Sequence, residues 1–369
     1  VGAMGDSVVN HSYVQYLIPS NVLAAYPRIT TPTVQHRRLI GAFWTDPVNT
    51  PDIPVPTVAW VELAGCPVRK EIIMGTIDGQ LDINLAVWDG TAWGHPQVFT
   101  TEDVNYTYKR FGVAYESQSG RALVVGRYDA TTTVRYNIWD GTAWLHAAPQ
   151  PAFDLADGAL RLVAMASCPG NNHIMIATVN WNHALQLFSW DGAAFADLGV
   201  VENSTETDIY GVVHIVYEQQ SGDALVIWSD RGMVRFRIWN GVALGTELTV
   251  SGIPNDVFFL RAAPDPASDQ ILLAGVDKFS DLWVVRWDGN SWVDAREVDT
   301  SALQSNIPVV DIAWEQPGDQ ALVAWGSFGD FEIHYLPWQK GTALAAASIT
   351  AGPNFQNAPR LVRLLPMAQ

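Results

Sequence analysis

A three-residue motif, Trp followed by Asp or Asn and then Gly, recurs along most of the chain. The five copies are Trp88-Asp89-Gly90, Trp139-Asp140-Gly141, Trp190-Asp191-Gly192, Trp239-Asn240-Gly241 and Trp287-Asp288-Gly289. A degraded sixth copy follows at Trp338 and Gly341. Successive copies lie about 50 residues apart, so the chain repeats one structural unit of that size.

Each motif predicts a β-hairpin. The segments before it, such as 134–138 and 234–238, alternate between polar and apolar residues as half-buried strands do. Asp-Gly and Asn-Gly are the pairs preferred by two-residue hairpin turns. A second large apolar residue follows five positions after each Trp and is expected to pack across the hairpin. These residues are Trp93, Trp144, Phe195, Leu244 and Trp292.

A second hairpin precedes the motif within the repeat, as in 113–125, 215–227 and 312–324. Its strands are apolar on both faces, which is typical of inner strands covered on both sides. Each repeat therefore supplies four antiparallel strands. One such sheet cannot bury both of its faces alone, so the repeats must stack. The pattern predicts an all-β propeller built from four-stranded blades.

The two ends of the chain are predicted to complete the ring. Residues 54–350 account for six complete blades, whereas 1–30 resembles the second, third and outer strands of a blade and 358–369 resembles an inner strand. Together these ends would form a closing seventh blade in a single domain, 1–369. Residues 31–53 are either a long connector or an added strand. A segment of a longer repeat array would show a similar pattern.

The hairpin motif resembles the turns of two propeller families. Sialidase propellers carry an Asp-box turn at this place, and six-bladed fucose-binding lectins carry a turn similar to residues 139–144. The resemblance covers the hairpin only and implies a motif that builds blades. The sugar-binding Glu that these lectins place three residues before the Trp is replaced here by Leu85, Tyr136, Leu187, Phe236 and Val284. The arginines of this chain are too scattered to match the arginine trio of sialidases.

The charge of the chain restricts its partners. It has 38 acidic and 21 basic residues and a net charge of −17. Nucleic acids and anionic membranes are therefore disfavoured as partners, because both require basic surfaces. The sequence contains no apolar run long enough for membrane insertion. An acidic, lysine-poor composition favours an extracellular or cell-surface location. Cys66 and Cys168 occupy the same turn of two different repeats and are predicted to lie too far apart for a disulfide.

Candidate ligand-binding residues lie on the propeller face that carries the variable loops. Asn180, Trp181, Asn182 and His183 combine an indole with polar groups, which suits a sugar, although a Trp packed over the next blade would give the same pattern. Asp residues recur in the turns between second and third strands, where they could bind Ca²⁺ or cap their own turns. These are Asp6, Asp78, Asp129, Asp230, Asp277 and Asp330, with Asn182 in the remaining blade. Asp78 and Asp82 are the candidate metal ligands, and no other cofactor is expected.

The sequence predicts a non-catalytic extracellular binding or assembly module that acts through variable loops on one face. An adhesin, a glycan-binding protein and a subunit of a surface structure all fit this description. A glycan or a protein would bind at that face, and self-assembly or a larger parent chain is also compatible with the repeats. The chain has no Gly-x-Ser-x-Gly motif and no other catalytic signature. The alternative is a sialidase-like glycan hydrolase, whose carboxylates would come from different blades.

Overall fold

A computed structural model describes most of the chain. The described residues are 13–18, 21–27, 34–40, 43–44, 48–49, 58–99, 108–205, 211–230, 232–254, 256–302, 310–314, 320–327, 332–344, 347 and 349–354. Within these ranges the regular secondary structure consists of β-strands. No helix in the described part of the chain is long and apolar enough to cross a membrane.

The described strands form seven antiparallel sheets, numbered here in chain order. Sheet 1 contains β1 (Tyr13–Ile18), β2 (Asn21–Pro27), β3 (Val34–Ile40), β4 (Phe43–Trp44) and β5 (Val48–Asn49). Sheet 2 contains β6 (Val58–Gly65), β7 (Ile72–Asp78), β8 (Ile83–Trp88) and β9 (Trp93–Phe99). Sheet 3 contains β10 (Phe111–Tyr115), β11 (Ala122–Arg127), β12 (Thr133–Trp139) and β13 (Gln150–Asp154). Sheet 4 contains β14 (Leu160–Ser167), β15 (Ile174–Asn180), β16 (Leu185–Trp190) and β17 (Phe195–Glu202).

The remaining three sheets repeat this plan. Sheet 5 contains β18 (Val213–Tyr217), β19 (Ala224–Ser229), β20 (Val234–Trp239) and β21 (Leu248–Thr249). Sheet 6 contains β22 (Val257–Pro264), β23 (Ile271–Asp277), β24 (Leu282–Trp287) and β25 (Trp292–Asp299). Sheet 7 contains β26 (Val310–Trp314), β27 (Gln320–Gly326), β28 (Glu332–Gln339) and β29 (Thr350–Asn354). Sheets 2 to 7 confirm the prediction of an all-β fold with four-stranded antiparallel sheets, whereas sheet 1 has five strands.

The core lies between neighbouring sheets. The first strands of successive sheets contact one another in the order β1, β6, β10, β14, β18, β22 and β26. Every residue of the second strands β7, β15 and β23 is buried, whereas the outer strands β13 and β17 are exposed or half-buried along their length. A sheet covered on both faces therefore has near-continuous apolar inner strands, as the sequence predicted.

The Trp-Asp-Gly hairpins have longer turns than the sequence predicted. Trp139 pairs with Trp144, so the loop is Asp140 to Ala143 and is closed by a 3.1 Å hydrogen bond from the Asp140 amide to the Ala143 carbonyl. Gly141 has a φ of 99°, while Asp140 stays outside the left-handed region. The prediction of a two-residue turn with two positive φ values was therefore wrong. The Asp carboxylate instead accepts amide hydrogen bonds inside the loop, which removes the need for a second left-handed residue.

The hairpin Trp residues belong to the core. Trp139, Trp190 and Trp287 are only 1–2% exposed. Each packs against the aromatic residue opposite it, with ring centroids 5.5 Å apart for Trp139 and Trp144 and 4.7 Å apart for Trp190 and Phe195. The packing across the hairpin that the sequence predicted is confirmed. These Trp residues stabilise the sheets and are not available to a ligand.

The strand assignment predicted for the N-terminal residues was wrong. Leu23–Ala25 was expected to be an outer strand, but β2 lies between β1 and β3. β1 contacts β6 as the other first strands contact their neighbours, so the N-terminal region supplies its own inner strand. Apolar strands look alike in sequence whatever their place in a sheet, and this similarity misled the assignment. The strand β3 shows that 31–53 is more than a connector.

The residues predicted to close the ring, 358–369, lie outside the described residues, as do Val1–Ser12. Their pairing stays a prediction. Cys66 and Cys168 are both buried free thiols at the first turns of sheets 2 and 4. Their placement at equivalent turns of two sheets separated by sheet 3, predicted from the repeat, is confirmed.

Candidate functional site

The segment with the candidate residues Asn180 to His183 is the turn between β15 and β16. Asn180 is 3% exposed, and its Oδ1 accepts hydrogen bonds from the amides of Asn182 and Ala184, both at 2.9 Å. The amide of His183 donates to the Asn180 carbonyl, which requires a φ of 69° at His183. Asn180 therefore holds the turn in shape, and its side chain faces inward.

The corresponding turns of sheets 2 and 6 have the same construction. Asp78 Oδ1 accepts from the amides of Gln80 and Asp82, and Asp277 Oδ1 accepts from the amides two and four positions later. Asn180 and not Asn182 is thus the counterpart of these Asp residues, contrary to the sequence alignment of the turns. The second oxygen of Asp78 accepts from Asn84 Nδ2 at 2.6 Å. Both Asp78 oxygens therefore accept hydrogen bonds from the protein itself, as expected of a residue that caps its turn.

The turns of sheets 3 and 5 also contain a capping Asp. Asp129 Oδ1 accepts from the amide of Thr131 at 2.8 Å, and Asp230 Oδ1 accepts from the amide of Met233 at 2.9 Å. The capping interpretation is confirmed for the four Asp residues that the structure describes, while Asp6 and Asp330 lie outside the described residues. Within the described ranges, no group of three His, Cys, Asp or Glu side chains is arranged to hold a metal ion.

Trp181 is the most exposed part of the candidate segment, with 37% of its surface accessible. Its amide donates to the Ala159 carbonyl at 3.0 Å, so the backbone is fixed. Its ring meets Tyr108 edge to face, with centroids 5.3 Å apart and planes at 85°. The guanidinium of Arg161 lies in the corner between the two rings, 4.0 Å from the Tyr108 centroid and 5.0 Å from that of Trp181. We call these three residues the aromatic cluster.

Polar side chains border the aromatic cluster. Asn182 is exposed, and its Nδ2 donates to Asp157 Oδ2 at 2.6 Å. The Asp157 carbonyl accepts from Asn180 Nδ2, which ties the loop before β14 to the turn after β15. His183 Nδ1 lies 3.2 Å from the Thr205 carbonyl, and the Thr205 amide donates to the His183 carbonyl. Trp181 and Asn182 therefore present exposed side chains, whereas Asn180 and His183 shape the turn.

Arg161, Tyr108 and Asp157 were missed by the sequence analysis. The register of β14 and β15 pairs Leu160 with Asn180, which brings Arg161 to the same end of sheet 4 as Trp181. Pairing residues outward from the turn between β14 and β15 would have predicted from the sequence that Arg161 lies near Trp181. Tyr108 precedes β10 of sheet 3, so its contact with Arg161 crosses between sheets. Such a contact between different repeats leaves no local signal in the sequence.

A second group of charged residues lies on the inner strands or directly before them. Arg261 of β22 donates through Nε to Asp311 of β26 at 2.5 Å, and its Nη1 is 3.4 Å from Nε2 of His214 on β18. Lys109 and Glu62 form an ion pair at 2.9 Å between sheets 3 and 2. These pairs join neighbouring inner strands through opposite charges. Each of these contacts connects two neighbouring sheets.

The chain was compared with known proteins. It matches no family model. It also matches no curated protein.

Several solved structures are similar to this chain. The lectin BP39L from Burkholderia pseudomallei superposes with a TM-score of 0.66 at 12% identity, over 94% of this chain and 97% of the lectin. The six-bladed lectin of Aleuria aurantia has a TM-score of 0.46 at 13% identity, over 76% of this chain and 91% of the lectin. A Hadza microbial sialidase has a TM-score of 0.47 at 10% identity, over 80% of this chain and 72% of the sialidase. The first similarity shows that this chain has the all-β fold found in lectins.

Proposed function

We propose that the protein is a non-catalytic carbohydrate-binding module, and that the aromatic cluster is its binding site. The observation that carries this proposal is the exposed indole of Trp181, held rigidly beside hydrogen-bonding groups at the junction of sheets 3 and 4. The shared fold with BP39L, which is a lectin, supports the same class of function.

The cluster has the chemistry that a sugar requires. One face of a pyranose ring presents C–H groups, which pack on an aromatic surface, while its hydroxyls need donors and acceptors at the rim. Trp181 supplies the aromatic surface, and Asn182 and Asp157 supply an exposed amide and carboxylate. Because the turn is fixed by backbone hydrogen bonds, binding costs little ordering of the site.

Binding without catalysis is supported by how the described arginines are used. Arg121 pairs with Glu116 at 2.9 Å, Arg235 pairs with Glu247 at 2.6 Å, and Arg261 pairs with Asp311 at 2.5 Å. A sialidase-like hydrolase, the alternative predicted from the sequence, needs several arginines that converge on one substrate carboxylate. These three arginines are each neutralised by one of the protein's own carboxylates, so they do not supply such a group.

The proposal extends to architecture and location. Each sheet would be one blade of a seven-bladed propeller whose ring closes between sheets 7 and 1, and the sequential contacts of the first strands support this arrangement. The acidic, lysine-poor composition supports an extracellular or cell-surface location, where a glycan-binding protein would act as an adhesin or as part of a surface assembly.

A glycan-binding assay with a matched aromatic control tests the proposed function. The purified protein and its Trp181→Ala variant are applied to an immobilised panel of glycans, and the affinity of any glycan bound is measured by calorimetry. We expect the variant to lose about fivefold or more in affinity, since stacking on an exposed aromatic ring contributes on the order of 1 kcal/mol or more. The control is Phe279→Ala, which removes an aromatic residue that is 68% exposed in the corresponding turn of sheet 6.

The control should bind as the unmodified protein does. Equal binding by Trp181→Ala and the unmodified protein would reject the site, and the absence of binding to every glycan would reject the function. Release of sugar from labelled glycosides by the unmodified protein would show that it is an enzyme.

A further inference from the structure

The aromatic cluster contains a buried cation that has no ionic partner among the residues that the structure describes. Arg161 is 6% exposed, and no carboxylate among the described residues forms an ion pair with it. Its Nη2 donates to the hydroxyl of Tyr108, and its Nε is buried without a hydrogen-bond partner. This distinguishes Arg161 from Arg235 and Arg261, each of which is neutralised by an Asp or Glu.

A buried charge without a partner is costly in a protein. Removing a guanidinium from water costs several kcal/mol, and such charges are normally paired or hydrogen-bonded. The rings of Tyr108 and Trp181 recover part of this cost through cation–π contacts. They satisfy the faces of the guanidinium, however, and not its N–H groups. No described residue hydrogen-bonds to Nη1, so an acceptor from outside the chain would complete the site.

We propose that the sugar bound at the aromatic cluster carries a carboxylate, and that Arg161 binds this group. The inference rests on the proposed function. A carboxylate matches the planar guanidinium and forms stronger hydrogen bonds with it than a neutral hydroxyl does. The pyranose ring would lie against Trp181, and its hydroxyls would reach Asn182 and Asp157. The protein therefore recognises an acidic sugar, such as a uronic or sialic acid.

The net charge of −17 makes this recognition local. The overall field of the protein repels anions, so a polyanion gains nothing from contacts elsewhere on the surface. A single carboxylate at Arg161 is bound because that cation is buried beside two aromatic rings, where its interaction is screened less by solvent. Acidic sugars should thus bind while extended polyanions do not.

Matched ligands test the inference without altering the protein. The methyl glycoside of glucuronic acid, its methyl ester and methyl glucoside share one ring and differ at a single carbon substituent. The α-methyl glycoside of sialic acid tests the other source of a ring carboxylate. We expect at least one of the two free acids to bind about tenfold or more tightly than its neutral counterpart, as calorimetry would show. Equal affinity for the acids, the ester and the neutral sugar would overturn the inference while leaving a glycan-binding site.

Variants separate the role of Arg161 from that of the cluster as a whole. Arg161→Gln should abolish the preference for the acid and retain binding of the neutral sugar, whereas Trp181→Ala should weaken both. The control Lys70→Gln removes the same charge from an exposed residue in the first turn of sheet 2, and it should change neither affinity. Retention of the preference by a folded Arg161→Gln variant would overturn the assignment of Arg161. If that variant does not fold, the comparison of acid and ester in the unmodified protein decides.

Discussion

Trp190 Nε1 donates a hydrogen bond to Glu116 Oε1 at 2.7 Å, joining residues of two neighbouring sheets. Trp287 donates to Glu218 in the same way at 2.5 Å, two sheets further along the chain. Each bond runs from the third strand of one sheet to the first turn of the sheet before it. The hairpin motif therefore contributes to the contact between sheets as well as to the hairpin itself.

The residue that follows the first strand differs among sheets 2 to 5. Glu116 and Glu218 follow the first strands of sheets 3 and 5, while Cys66 and Cys168 occupy the same place in sheets 2 and 4. Trp139 lies in sheet 3, and the sheet before it has Cys66 at this place. The Nε1 atom of Trp139 is buried and has no hydrogen-bond partner among the described residues. Between sheets 2 and 5 this position therefore alternates between Cys and Glu, whereas sheet 6 has the buried Asp265 there.

The two Glu residues differ in their surroundings. Glu116 accepts hydrogen bonds from Arg121 Nη2 at 2.9 Å and Nε at 3.0 Å. Sheet 5 has Asp223 in place of this arginine, so the Glu218 carboxylate is buried beside another acid. Burial raises the pKa of Glu218, and the nearby carboxylates of Asp269 and Asp223 raise it further, although hydrogen bonds from Ser221 and Trp287 oppose the shift. The pKa of Asp223 is raised as well, by burial first and by Asp269 second.

We predict that Asp223→Arg stabilises the protein at pH 7. The new guanidinium would pair with Glu218 as Arg121 pairs with Glu116, and it would remove the repulsion between Asp223 and Asp269. Hydrogen bonds to a charged group contribute about 1–3 kcal/mol, and the free energy of unfolding should rise by about 1 kcal/mol since the new side chain is partly exposed. Denaturant unfolding measures the change. The reciprocal variant Arg121→Asp should destabilise the protein, and stabilisation by both substitutions would contradict this explanation.

We predict that Glu218→Gln changes the pH dependence of stability in a defined direction. The folded-state pKa of Glu218 is raised, so the folded protein holds a proton at pH values where the unfolded chain has released it. Stability contributed by this group is present at low pH and falls as pH rises through the shifted titration. The amide of Gln can still accept from Trp287 and does not titrate. The free energy of unfolding of Glu218→Gln, relative to the unmodified protein, should therefore be greater at pH 8 than at pH 5.

If the difference in unfolding free energy between Glu218→Gln and the unmodified protein is the same at pH 5 and pH 8, the pKa of Glu218 does not change on folding in this range. That result would contradict the prediction. The corresponding Glu116→Gln variant is the control. Its carboxylate is paired with Arg121, so the variant should lose stability at both pH values.

The sequence predicted the strands more reliably than the contacts between them. The Trp-Asp-Gly hairpins and the buried inner strands follow from local patterns, because turn residues and alternation act over a few positions. The order of strands in sheet 1 was mispredicted, because the apolar pattern of β1 does not indicate which strand or sheet it packs against. Trp181 was identified from its own turn. Arg161 and Tyr108 were not, because the contact that unites them spans two repeats.

The buried Trp residues should dominate stability. We predict that Trp139→Ala lowers the free energy of unfolding by about 3–5 kcal/mol, which is the usual cost of removing a large buried aromatic side chain. Trp287→Ala should cost at least as much, because it also leaves Glu218 without its indole donor. Thermal and denaturant unfolding measure both. Trp181→Ala is the control and should cost far less, since that side chain is 37% exposed. Similar losses of unfolding free energy in all three variants would mean that the burial of a Trp side chain does not determine its contribution to stability.

The acidic surface should exclude polyanions. We predict no detectable binding to heparin, double-stranded DNA or anionic lipid vesicles at physiological salt, because a protein of net charge −17 repels them. Surface plasmon resonance with each immobilised polyanion checks this prediction. Micromolar binding would reveal a basic face formed by the arginines. It would also require that the preference for a carboxylate at Arg161 be tested again at high salt.

The last prediction concerns closure of the ring. The segment 358–369 has the apolar pattern of a strand, centred on Leu361 to Leu365. If it completes the junction between sheets 7 and 1, its removal exposes apolar surface and an unpaired edge on both sides. We therefore expect deletion of 358–369 to give insoluble protein or a steep loss of stability. Deletion of 366–369 alone, which leaves the predicted strand, should be tolerated. A soluble protein with an unchanged unfolding midpoint after the longer deletion would show that 358–369 takes no part in closure. Sheet 1, with β1 as its inner strand, would then have to pack directly against sheet 7.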